Sequence, residues 1–173
     1  MIEGGSDSND TGDDQEFGYR RLSDDEVEGL LGKENVGVLA LNDDGVPYAF
    51  PMSYGYGSGS FFFEFGNVNN GRKAEIAEAE TDACFTVHSV DRSRWGNASA
   101  NTIAGGYSWA SVIAVGKLIK VEDDEQRDGV DDTRTPSPAY PWGEVGAGLA
   151  AYELETREVS GRGAGDVEEV LTD

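Results

Sequence analysis

One segment, residues 47–73, constrains the fold of this chain more than any other. Two aromatic-rich stretches, 47–56 and 61–65, are joined by Gly-Ser-Gly-Ser, and a loop rich in Gly and Asn follows them. Short aromatic stretches bounded by turn residues predict a β-hairpin. The loop then leads into a predicted helix that begins at Arg72-Lys73. The sequence therefore places two adjacent cations at the N-terminal end of a helix.

Two cations beside helix-terminal N–H groups form an anion site, and a phosphate group fits it. The rest of the chain is acidic, with 34 Asp and Glu against 13 Lys and Arg and a formal charge of −21. A positive site therefore has to be local. The alternative interpretation is that Arg72 and Lys73 are ordinary solvent-exposed helix cations.

The negative charge also excludes classes of partner. Nucleic acid and anionic membranes would be repelled by such a surface, so neither is an expected partner. Disorder explains the acidity of the chain ends but not of the aromatic-rich middle. Because a Debye length of roughly 3 Å at 1 M salt screens carboxylate repulsion, we expect a salt-adapted protein from a halophile.

Several chemistries lack the residues they need. One histidine, His88, and one cysteine, Cys84, cannot form a zinc site, and a hydrolytic triad would have to use His88. A lone histidine on a strand is more often a packed or exposed side chain than a catalyst. The single cysteine, the acidic amino terminus and the absence of a long apolar run predict a cytoplasmic protein without a membrane span. Any difficult chemistry is then expected from a bound cofactor.

The order of elements predicts a mainly β fold. We expect a disordered acidic tail at 1–18, a domain at 19–162 and a polar C-terminal tail at 163–173, in which Val167, Val170 and Leu171 could dock weakly. The motif Ser23-Asp-Asp-Glu26 predicts a capped helix. Six strands, mostly antiparallel, with small flanking helices indicate a closed barrel; they are expected at 36–41, 47–56, 61–65, 82–90, 107–121 and 150–159.

The strand predicted at 47–56 has two different faces. Large side chains alternate with small ones, and the large face is expected to pack in the core. The small face, which includes Ala49, Pro51 and Ser53, leaves room for a flat ligand against the backbone. Alternatively, it accommodates a neighbouring strand or helix.

An ordered set of motifs resembles a known family. The motifs are Pro-Tyr-Ala-Phe-Pro-Met-Ser-Tyr at 47–54, Gly-Arg-Lys at 71–73, Trp-Ala-Ser-Val-Ile-Ala-Val-Gly at 109–116 and Leu-Glu-Thr-Arg-Glu-Val-Ser-Gly-Arg at 154–162. Together they resemble the pyridoxamine 5′-phosphate oxidase-like, FMN-binding split-barrel family, and its short nitroimidazole-resistance-like branch most closely. The resemblance covers residues 22–162 and implies a six-stranded antiparallel split β-barrel. It also implies a homodimer with FMN at each of two subunit interfaces.

The resemblance assigns site residues by position. Arg72 and Lys73 match the phosphate-binding pair. Nine residues in all match cofactor-binding positions: Pro51, Met52, Ser53, Glu64, Arg72, Lys73, Trp109, Ser111 and Val112. The segment 51–53 matches the strand beside the isoalloxazine, and 111–112 matches a contact from the partner subunit.

Three of these assignments have competing interpretations. The resemblance implies that Trp109 lines the flavin site, but Trp109 and Val112 could equally be ordinary core residues of the barrel. An acid at position 64 would oppose a phosphate.

The function implied is an FMN-dependent oxidoreductase of unidentified substrate. The substrate-binding C-terminal segment of the oxidase is absent, and Asn35-Val36 stands where the resistance-like branch often has a histidine. Neither specific activity is therefore carried over. Two alternatives remain: a non-catalytic module that binds flavin, deazaflavin or haem, and a structural dimer with a vestigial site.

Overall fold

The computed structural model describes residues 19–57, 59–66, 71–91, 108–121 and 149–172. Within these ranges the chain forms eight strands and three helices, in the order β1 Tyr19–Arg21, α1 Asp24–Lys33, β2 Val36–Asp43, β3 Val46–Ser53, β4 Gly55–Gly57, β5 Ser60–Gly66, α2 Arg72–Glu78, β6 Asp82–Val90, β7 Trp109–Val121, β8 Leu149–Ala164 and α3 Val167–Thr172. The predicted tail at 1–18 and most of the long loop after β6 lie outside the described residues.

The strands form one antiparallel sheet that curls into a half-barrel. Their order is β3-β2-β6-β7-β8-β5-β4, with β1 paired to β8. The strands at the two ends of this order, β3 and β4, are separated along the chain by Tyr54 alone. The sheet therefore curls enough to bring β3 and β4 together at Tyr54, although the two strands do not pair within the described residues. This confirms the predicted mainly β split barrel with small helices.

Tyr54 explains why one predicted strand is divided in two. Its ring is buried against Phe61 and Phe85, with centroids 6.1 and 5.0 Å away. Its hydroxyl donates to the Leu31 carbonyl at 2.9 Å. The chain thus turns at this residue, and the predicted strand 47–56 becomes β3 and β4. Together with the short β1, this raises the predicted six strands to eight.

Aromatic side chains fill the barrel, and the large side chains of 47–56 lie in or against this core as the alternation predicted. Phe61, Phe63 and Phe65 are buried on the inner face of β5. Phe65 stacks on Tyr152 of β8 with ring centroids 4.4 Å apart and nearly parallel planes. Such contacts stabilise a core beyond simple burial of area.

The helices close the open parts of the barrel. The predicted capping box of α1 is present: Ser23 accepts from the Glu26 backbone N–H, and the Glu26 side chain accepts from the Ser23 N–H. Leu30 and Leu31 face the core. None of the described helices has the length and apolarity to cross a membrane.

In the segment 163–173, the two valines expected to dock weakly pack against the core. β8 continues to Ala164, and α3 follows it. Val167 and Val170, three residues apart on one helical face, are buried. The Val170 carbonyl accepts from Lys33 Nζ at 2.5 Å, which ties α3 to α1. Two valines at helical spacing are therefore enough to dock this short segment.

Candidate functional site

The start of α2 lies against the inner face of β3. The Arg72 guanidinium carbon is 4.6 Å from the centroid of the Tyr48 ring, and Lys73 Nζ is 4.7 Å from that of Phe50. Tyr48 and Phe50 are two residues apart on β3, so they share a face. A cation over an aromatic ring is attracted to the ring quadrupole, by roughly 0.5–1 kcal/mol at exposed sites. The two neighbouring cations therefore each contact an aromatic ring of β3.

Arg72 is also paired with a carboxylate that the sequence did not single out. Its Nε and Nη2 donate to Oδ2 of Asp43 at 2.8 and 2.5 Å. Asp43 is the last residue of β2, and its side chain is about one-third exposed, against 55% for Arg72. Arg72 is thus more than a free surface cation, because both an ion pair and a ring fix its position.

A wide acidic depression of about 850 Å³ opens on one side of Arg72. Five carboxylate residues line it with Arg72: Asp43, Asp44, Glu75, Glu80 and Asp82. Lys117 pairs with one of them, Glu80, and Arg157 with another, Asp82, each at 3.0 Å. The remaining negative charge would repel an anion from the depression. Lys73 does not line the depression. An anion is therefore expected to approach Arg72 from the side of Lys73.

The backbone of α2 contributes less to an anion site than the sequence predicted. One of the N–H groups of the first turn, that of Ala74, already donates to the Gly71 carbonyl at 2.8 Å. In this helix of seven residues, the Arg72 and Lys73 side chains are left as the main attraction for an anion.

Four of the predicted contact residues share the outer face of the sheet. Pro51 is exposed, and Ser53, Ser111 and Trp109 are half-buried. Residues that stand opposite each other on neighbouring strands share a face. By this register one row runs across four strands of the outer face: Pro51, Val38, Thr86 and Ile113.

The other predicted residues lie apart from this group: Met52 and Val112 face the interior, whereas Glu64 is on the outer face of a different strand, β5. Met52 stands opposite Gly37 and packs partly against the core. Val112 is 1% exposed, inside the barrel, where the alternative interpretation placed it. Glu64 lies on β5 opposite Ala151. The structure therefore groups the nine residues into an inner cationic pair, an outer group and three separate positions.

β3 lies between the cationic pair and the outer group. It is the first strand in the sheet order, and within the described residues it pairs only with β2. The cations lie on its inner side, whereas Pro51 and Ser53 lie on its outer side. A single ligand that contacts both groups must pass over the free edge of β3.

Two apolar side chains of the outer face are unusually exposed. Val36 is 52% and Ile113 43% exposed, on a chain with a charge of −21. His88 is also exposed on this face, opposite Ser111. Sequence reasoning gave none of the three a role. Each of the three alternates with buried residues along its strand, and this sequence pattern could have assigned all three to one face.

The curled antiparallel sheet defines a split barrel in which Arg72 and Lys73 lie beside a free strand edge. Residues 23–163 match the family profile described as pyridoxamine 5′-phosphate oxidase. The match spans most of the sequence, so the chain belongs to this family. No curated protein gives a significant sequence match.

Three solved structures illustrate the likeness in fold. A FAD-binding protein from Mesorhizobium loti is 23% identical, with a TM-score of 0.59 over 85% of this chain and 99% of that one. A candidate 5-nitroimidazole antibiotic resistance protein from Bacteroides thetaiotaomicron is 18% identical, with a TM-score of 0.60 over 84% and 87%. A FAD and haem binding protein from Mycobacterium smegmatis is 17% identical, with a TM-score of 0.60 over 89% and 78%.

Proposed function

We propose that this protein is an FMN-binding flavoprotein and an oxidoreductase of unidentified substrate. The observation that carries the proposal is the pair Arg72 and Lys73, seated on the aromatic rings of the free-edged strand β3. Membership of the family supports a flavin, as do the flavin-binding proteins of the same fold. The choice of FMN follows the family resemblance of the motifs and the match of a terminal phosphate to an Arg-Lys pair.

The residues present fit a flavin phosphate. Arg72 and Lys73 would donate charge-assisted hydrogen bonds to phosphate oxygens, which are stronger than neutral ones. The contacts with Tyr48 and Phe50 already restrict the two side chains, so less rotamer entropy is lost when the phosphate binds. On the outer side of β3, the small surfaces of Pro51 and Ser53 leave space for a flat ring. When bound, the flavin would supply hydride or electron transfer, whereas the chain would bind and orient it.

A homodimer is part of this proposal. The outer face carries the exposed Val36 and Ile113, and Ile113 shares a row with Pro51 and Val38, so association through this face would bury apolar surface. A two-fold interface packs the same surface of both copies together. Because Pro51, Ser111 and Trp109 all lie on the outer face, such an interface would place Ser111 and Trp109 of the partner subunit near Pro51. A cytoplasmic location and adaptation to salt remain proposals that rest on composition.

The test measures FMN and riboflavin affinity by quenching of flavin fluorescence. Each charged hydrogen bond contributes about 1.5–3 kcal/mol, so Arg72→Ala/Lys73→Ala is expected to weaken FMN binding by about 100-fold or more. Riboflavin, which lacks the phosphate, should bind wild type and variant equally.

The matched control is Arg20→Ala/Lys120→Ala, which removes one Arg and one Lys that pair with Glu26 and Glu78, neither of which lines the acidic depression. It should leave both affinities unchanged. Equal losses for FMN and riboflavin in the Arg72/Lys73 variant, or no loss, would contradict the proposed phosphate site.

A second candidate function is a non-catalytic module that binds haem, deazaflavin or flavin. The specific observation in its favour is the exposed His88, opposite Ser111 on the outer face, because imidazole is a common axial ligand of haem iron. A haem Soret band that appears with wild type and is lost in His88→Ala would support it. Reduction by NAD(P)H with turnover of an added electron acceptor would instead support the oxidoreductase.

A further inference from the structure

The Arg72 guanidinium is held from two directions by groups of the chain. Its central carbon lies over the Tyr48 ring, and its Nε edge is bound by Asp43. Both contacts involve residues on the β2–β3 hairpin, whereas Arg72 itself starts α2. The hairpin therefore determines the orientation of a side chain that belongs to another element.

Asp43 is itself fixed by the local structure. It stands opposite Val46 at the end of the β2–β3 ladder. Two hydrogen bonds stabilise the turn that follows. The Gly45 N–H donates to Asn42 Oδ1 at 2.8 Å, and Thr81 Oγ1 donates to the Asn42 carbonyl at 2.7 Å. A carboxylate on such a support can orient its partner with little freedom of its own.

The hydrogen-bond geometry leaves Arg72 donors for a second acceptor. A guanidinium has five N–H bonds in a rigid fork. Asp43 takes the Nε donor and one from Nη2, both on the single oxygen Oδ2. The Nη1 donors and the second Nη2 donor are not used by this pair. An anion and Asp43 can therefore bind the same arginine at different edges.

We infer that Asp43 is a positioning residue for the phosphate site, which it serves by holding Arg72 in the orientation that the anion requires. The inference rests on the proposed function, since it needs the phosphate to bind Arg72. It opposes the simpler expectation that a nearby carboxylate only repels the phosphate. Under simple repulsion, removal of Asp43 would tighten FMN binding.

The test compares Asp43→Ala, Asp43→Asn and Asp44→Asn by FMN and riboflavin titration in molar KCl. Asp43→Ala should weaken FMN binding about tenfold, because Arg72 is then free to leave its productive orientation. Asp43→Asn keeps an oxygen acceptor for Nε and should stay within about threefold of wild type. Asp44→Asn removes the same charge one residue away, at a left-handed position that Asn tolerates, and should have no effect.

Two further measurements separate positioning from general destabilisation. Riboflavin affinity should be the same in all three variants. In the Arg72→Ala background, Asp43→Ala should cause no additional loss, because the residue through which it acts is absent.

The results distinguish this inference from the proposed function. If Asp43→Ala binds FMN as well as or better than wild type while Arg72→Ala weakens it, the positioning role is wrong and the phosphate site stands. An additional loss from Asp43→Ala in the Arg72→Ala background would also overturn the role. If wild type shows no preference for FMN over riboflavin, both are wrong.

Discussion

Single side chains in this protein have their chemistry set by a few close neighbours. Glu26 is the clearest case: Arg20 donates to both of its carboxylate oxygens, at 2.8 and 2.6 Å, and the Ser23 N–H donates at 2.9 Å. The hydrogen bonds from Arg20 first, and from Ser23 second, lower the pKa of Glu26 from 4.5 to about 2. Ser23 and Glu26 were predicted from the sequence because a capping box is a local pattern. Arg20 was not, because its contact depends on β1 pairing with β8.

This shift predicts how acid affects stability. A carboxyl whose pKa is lower in the folded state stabilises the protein above its unfolded pKa, and this contribution is lost as the pH falls through the folded value. Between about pH 4.5 and 2, wild type should therefore lose more stability than Glu26→Gln, by about 0.5–1 kcal/mol for an exposed pair. Urea unfolding in molar salt at several pH values measures this. The difference should shrink in an Arg20→Met background, and equal pH dependence of wild type and Glu26→Gln would contradict it.

At the scale of elements, alternation and turn residues predicted most of the strands. The core residues of β5 and the start of α2 follow directly from such local patterns. The division at Tyr54 depends on contacts with residues far along the chain, which no local pattern encodes. For the same reason, the sequence predicted Arg72 and Lys73 as a pair but could not reveal that Asp43 and the β3 rings hold them.

The longest strand pair contains a position where only glycine fits. The pairing of β7 with β8 shifts register between Val115 and Gly116. A Cβ on Gly116 would lie 2.2 Å from the Glu155 carbonyl oxygen, which is a backbone atom that cannot move aside. Gly116→Ala should therefore destabilise the fold by about 1–3 kcal/mol.

Gly32→Ala is the matched control for this substitution. Gly32 lies in α1 with no atom within 4 Å of an added Cβ. This change should stabilise the protein by up to about 1 kcal/mol, because Ala favours a helix. Thermal unfolding of both variants, compared with wild type, checks the pair of expectations. A Gly116→Ala variant as stable as wild type would show that the strands can repack there.

At the scale of the whole molecule, we propose that the outer face of the sheet forms the homodimer interface. Ile113→Glu puts a like charge on both copies of a two-fold interface, so it should convert a dimer into a monomer in gel filtration with light scattering. Val46→Glu, at an even more exposed valine on the other face of the sheet, should leave the dimer intact. A monomeric wild type, or a dimer unaffected by Ile113→Glu, would contradict this interface.

The net charge of −21 predicts a dependence on salt. Carboxylate repulsion destabilises the compact state, and salt screens it. The melting temperature should rise steadily as KCl increases from about 0.1 M to above 1 M. A melting temperature independent of KCl would contradict adaptation to high salt.

The most direct test is the visible absorption spectrum of the protein, folded in molar KCl, after incubation with FMN and removal of unbound ligand. Our account predicts flavin absorbance that stays with the wild-type protein, is released as FMN on denaturation, and is lost in Arg72→Ala/Lys73→Ala. A folded wild-type protein that stays colourless after this treatment would contradict it.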